Sequence, residues 1–88
     1  MQAIITKFLP HVGVRGSRIK ATALAGSVII DYPHDVKMGE DAHRKAAEAL
    51  CDKMGWKDKE MLICGSLPKG QFVFVHGRDF WLDQRAKL

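Results

Sequence analysis

The chain is expected to form an α+β domain in two layers, β-β-β-α-β-β, with an antiparallel sheet covered on one face by a single helix. Three observations predict it. Residues 2–9 and 17–24 alternate between apolar and polar, Ala42 to Met54 carries apolar residues at helical spacing, and Met61–Cys64 and Gln71–His76 are two further strand-like runs. The length of 88 residues fits one core, burying roughly 60–65% of the unfolded surface. The domain is expected over residues 1–79, with 80–88 as a C-terminal tail.

In Gln2–Leu9, Ile4, Thr6 and Phe8 point one way, and Ala3, Ile5, Lys7 and Leu9 the other. Pro10 ends the strand, and Gly13 and Gly16 make the connection a loop of moderate length. The second strand, Ser17–Leu24, sets Ile19, Ala21 and Ala23 against Arg18, Lys20, Thr22 and Leu24. Small alanines on its inner face imply a helix packed closely above. Ala25-Gly26 reads as a two-residue hairpin turn that uses the freedom of glycine at positive φ, and Ser27–Tyr32, with consecutive Val28, Ile29 and Ile30, as the third strand.

Pro33-His34-Asp35 breaks the sheet, with His34 bracing the turn. Glu40 and Asp41 suit the positive end of a helix dipole. From there Ala42, Ala46, Ala49, Leu50 and Met54 form the predicted buried stripe, flanked by His43, Ala47 and Cys51. Gly55 is placed as the residue after the helix, with Trp56 folding back as in a Schellman cap. Lys57–Glu60 is a solvated link. Gly65–Gly70 reads as the turn of a final hairpin, because it lacks the Gly-Lys-Ser/Thr ending of a phosphate loop.

Composition narrows the function. Hydrophobic residues at 47% and charged residues at 27% describe a globular chain. No apolar run has the roughly 18 residues of a membrane span, and the first residues do not read as a signal peptide, so a cytoplasmic location and no membrane partner are expected. Cys51 and Cys64 read as reduced core thiols. Four histidines and scattered carboxylates show no ligand or triad spacing, so no catalytic residue, metal or cofactor is assigned and no enzyme activity is expected. His43 is read as a satisfied residue at the boundary of the helix.

A net charge of +4 favours an anionic partner, either nucleic acid or an acidic protein surface. The cations concentrate in Arg15-Gly16-Ser17-Arg18-Ile19-Lys20-Ala21. If the first two strands are neighbours, Lys7 shares a face with Arg18 and Lys20, Arg15 sits at the loop mouth, and Thr22 lies further along. These five residues form the first candidate partner-binding set. The second is the tail pair Phe80 and Trp81, since tryptophan is enriched among interface hot spots. Docking of that tail on the body is the first expectation, and a homodimer or partner contact the alternative.

The segments Ala3–Pro10, Arg15–Ala21, Ile30–His34 and Ala46–Leu50 resemble small proteins encoded by tailed bacteriophages, prophages and plasmids. The resemblance runs to about Trp56 and rests mainly on Thr6-Lys7-Phe8-Leu9 and the Arg15–Ala21 block. It supplies no catalytic residues to transfer. What it implies is a setting: a binding protein that inhibits a host defence protein or ribonucleoprotein complex by occupying a functional surface, as anti-CRISPR proteins do. A small basic accessory protein that binds nucleic acid is the alternative.

Overall fold

The structure is a computed structural model, and it describes residues 2–13, 16–33, 35, 39–57 and 59–77. Its elements follow the expected order: β1 Ile4–Leu9, β2 Arg18–Ala23, β3 Gly26–Asp31, α1 Gly39–Met54, β4 Leu62–Ser66 and β5 Phe72–His76. Short 3₁₀ turns at Lys59–Met61 and Pro68–Gly70 precede and follow β4. The five strands form one antiparallel sheet in the order β3-β2-β1-β5-β4, so the meander β1-β2-β3 occupies one half and the final hairpin joins the free edge of β1.

The first hairpin is displaced by one residue from its expected place. Ala23 pairs with Gly26, which makes Leu24-Ala25 the two-residue turn and puts Gly26 inside β3. Among the described residues a positive φ occurs at Gly13, Gly55, Lys69 and Gly70, and Gly26 is not one of them. Glycine serves a different purpose here: a Cβ on residue 26 would lie 2.7 Å from Met54 Cε, at the point where the end of the helix descends on the strand.

The helix lies on the sheet through Ala42, His43, Ala46, Ala47, Leu50 and Cys51. The buried stripe is therefore centred nearer Ala47 than expected, and Ala49 is only half-buried. Alanine is a weak marker of orientation because either alanine can face either way at little cost; Leu50 and the packing partners decide. Ile4, Ile19, Ala21 and Phe74 are fully buried beneath it. Small side chains on both surfaces, Ala21 on the sheet and Ala46 and Ala47 on the helix, let the two layers approach closely.

The end of α1 is a Schellman cap, as expected. Trp56 N–H donates to Cys51 O at 2.9 Å, Gly55 N–H to Asp52 O at 3.3 Å, and Gly55 adopts φ 72°. Near the other end, Arg44 ties the helix to the outer hairpin. Its guanidinium donates to Leu62 O at 2.8 Å and stands 5.4 Å from the centre of the Phe74 ring. The second hairpin turns through Leu67–Gln71, closed by Leu67 N–H donating to Gln71 O at 2.8 Å. Cys51 is buried, Cys64 is half-buried, and both are free thiols. Among the described residues, no helix is long and apolar enough to cross a membrane.

Candidate functional site

The sheet has two unlike faces. Ile4, Thr6, Ile19, Ala21, Phe72, Phe74 and Leu62 lie on the side that carries the helix, so strand alternation sends their neighbours to the opposite side. There, the register builds three rows across the strands. Asp31, Arg18 and Leu9 form one, Ile29, Lys20 and Lys7 the next, and Ser27, Thr22, Ile5, Val73 and Gly65 the third. Ile63 beside Val75 extends the face on the outer hairpin.

Two properties set this face apart from an ordinary solvated one. Lys20 and Lys7 are directly opposed on neighbouring strands, an arrangement that costs about 0.2–1 kcal/mol in an isolated sheet. In addition, Ile29 beside Lys20 is 47% exposed, Ile5 is 45% exposed and Ile63 is 43% exposed. Apolar β-branched residues, Ile29 and Ile5, thus flank the pair of cations. The backbone around them is fixed by the core on the other side, so the cation spacing is set by the ladder. At the end of the face, Arg18 Nε is buried without a hydrogen-bond acceptor, although Arg18 stands opposite Asp31 in the register.

Of the residues predicted from sequence, Lys7, Arg18, Lys20 and Thr22 come together on this face. Arg15, Phe80 and Trp81 lie outside the described residues, as does His34. Sequence reading missed Ile29 as part of the surface. Ile5 was visible, since alternation already placed it beside Lys7, but its significance needed the neighbouring strand.

The helix-covered side holds a second feature. The helix runs obliquely: Arg44 near its start contacts β4, and Met54 at its end meets Gly26 on β3. At one corner of the sheet Tyr32 N–H donates to Ser17 O at 3.0 Å, just beyond β2 and β3. Phe8, Ser17, Tyr32 and His43 line a depression of about 410 Å³ there. Phe8 and Tyr32 meet edge to face, with centroids 5.9 Å apart and planes at 83°.

His43 is 5% exposed and is satisfied, as its place on the helix implied: Nδ1 lies 2.7 Å from Thr6 Oγ1. The Thr6 hydroxyl has a second partner, Phe72 O, at 3.4 Å. Thr6 thus takes up Nδ1, and Nε2 is the other ring nitrogen. Burial holds the His43 pKa below its ordinary value, and the Phe72 ring fixes the imidazole from the side at 4.7 Å.

Reactive groups are few. Burial, reinforced by Glu40, pushes the Cys64 thiol up to about 11, and burial likewise raises Cys51, so neither is a ready thiolate at neutral pH. Among the described residues, no group of three or more His, Cys, Asp and Glu is placed to hold a metal ion. Comparison with protein-family models, curated proteins and solved structures finds no match.

Proposed function

We propose that this protein is a non-enzymatic binding protein whose uncovered sheet face docks on an acidic, partly apolar surface of a protein partner. The observation that carries the reading is the row Ile29-Lys20-Lys7 with Ile5 beside it. Two opposed ammonium groups are worth their mutual repulsion when carboxylates of a partner sit between them, and the exposed isoleucines supply the apolar contact. Arg18, with an N–H lacking an acceptor, extends the same field. With the phage-like blocks in the sequence, the partner class is a host defence complex, which the protein inhibits by occupying a functional surface in the manner of anti-CRISPR proteins.

Affinity capture from host lysate, with and without nuclease, tests this. A protein partner that survives nuclease and is lost with Lys7→Glu/Lys20→Glu supports it. No partner, or one indifferent to the double substitution, overturns it.

The net charge of +4 favours a second reading, in which the same cations bind nucleic acid. Weighing against it, the described residues of this face are aliphatic, charged or small and offer no aromatic platform for bases. Binding to DNA or RNA that falls steeply with added salt and vanishes with both lysines would favour the second reading instead.

A further inference from the structure

We propose that the depression between Phe8, Ser17, Tyr32 and His43 is a binding site for a small neutral heteroaromatic ring of nucleobase type. It is on the opposite side of the sheet from the docking face and does not depend on that reading. Its volume of about 410 Å³ falls within the roughly 300–1,000 Å³ of small-molecule sites, which combine apolar walls with a few polar groups.

Each wall has a reason to be there. Phe8 follows Ile4 and Thr6 on the face that the helix covers, yet it remains 42% exposed. With Tyr32 set at 83° to it, the two rings form a corner. A flat ligand can lie against one ring and present its edge to the other, the offset and T-shaped geometries that aromatic groups favour. An aliphatic ligand would make no use of that angle.

The polar groups narrow the class further. Thr6 occupies His43 Nδ1, so Nε2 is the imidazole nitrogen left for a ligand, and Ser17 adds a hydroxyl that can donate or accept. Burial keeps this imidazole neutral around pH 7. Among the described residues that line the depression the polar groups are the imidazole and two hydroxyls, which suit the edge of a neutral ring. A base, whose edge carries both donors and acceptors, satisfies the set; a phenyl ring would leave the imidazole Nε2 unpaired.

The test is a titration of the ¹⁵N-labelled full chain, followed by amide and imidazole NMR signals, with adenosine in one arm and single-stranded tri-adenylate in the other. The expected result is a saturable one-site shift of the His43 ring and of the Phe8, Ser17 and Tyr32 amides. Adenosine should be bound roughly tenfold or more weakly by Phe8→Leu, which keeps an apolar wall and loses the stacking face. Lys20→Glu on the far side should leave adenosine binding unchanged. Pocket shifts with both probes mean that a free nucleoside suffices, and pocket shifts with the strand alone mean a base presented by a strand. Both uphold the site. Absence of saturable pocket shifts in both arms, shifts centred on Lys7 and Lys20, or undiminished affinity in Phe8→Leu would overturn it.

Discussion

Truncating Ile19 to Ala should cost about 3–4 kcal/mol, while truncating its neighbour Lys20 to Ala should cost almost nothing. Ile19 is fully buried in β2, between Phe8 on one strand and Ile30 on the other, so removing three carbons opens a cavity under the helix. Substitutions of this kind lose about 2–5 kcal/mol, and a strand paired on both sides has little freedom to close the gap. A domain of this length has roughly 4–13 kcal/mol in all, so the variant is expected to lose a large part of its stability. Lys20 is exposed and faces Lys7. Its truncation removes a repulsion and should change stability by about 0.5 kcal/mol or less, in either direction. Urea unfolding followed by tryptophan fluorescence, with Trp56 partly buried against the core, reads both variants. Equal destabilisation by the two substitutions would refute the division of β2 into an anchoring side and a displayed side.

Three further outcomes follow from the same structure. Thr6→Val keeps the shape of a fully buried side chain and deletes the hydroxyl bonded to His43. It should cost about 1–3 kcal/mol in urea, and Thr6→Ser distinctly less; a neutral Thr6→Val would contradict the buried bond. Because burial holds the His43 pKa below 6.5, the unfolded chain takes up this proton first as pH falls. Stability from the neutral imidazole is thus complete above about pH 6.5 and declines below it until the folded pKa is passed. Urea midpoints should therefore drop from about pH 7 to pH 5.5, and less so in His43→Gln; an identical slope in the variant would remove His43 as the cause. Gly55→Ala forces a Cβ into φ 72° at the helix end and should lower stability by about 1–2 kcal/mol, checked by thermal unfolding.

The order of elements was legible because each strand alternates cleanly and the helix has a single apolar stripe. Alternation also put Ile5 with Lys7, and Arg18 with Lys20, on common faces before any neighbour was known. It says nothing about which strands adjoin. That β5 returns to the free edge of β1, making β1 central, is decided by how the second hairpin packs under α1. Nor does alternation fix a register to one residue: Gly26 looked like a turn residue and is a strand residue that makes room for Met54. The alanines of α1 left its rotation loosely specified for the same reason, a lack of bulk.

The binding face was half legible. Its cations stood out in the sequence, but Ile29 joined them only through the register with Lys20. The buried pair on the other side carried a usable signal, since Thr6 falls on an otherwise apolar strand face and so demands a partner. The depression beside it had none. It draws on residues far apart in the sequence, a juxtaposition that no local pattern encodes.

The measurement that bears most directly on the docking face is nuclease-treated affinity capture from host lysate with the native chain and with Lys7→Glu/Lys20→Glu. Both lysines are exposed, so the variant should fold like the native chain, and its urea midpoint provides the control. The expected result is a stoichiometric protein partner for the native chain that is absent from the variant. Recovery of the same partner at equal yield by the folded variant would contradict it.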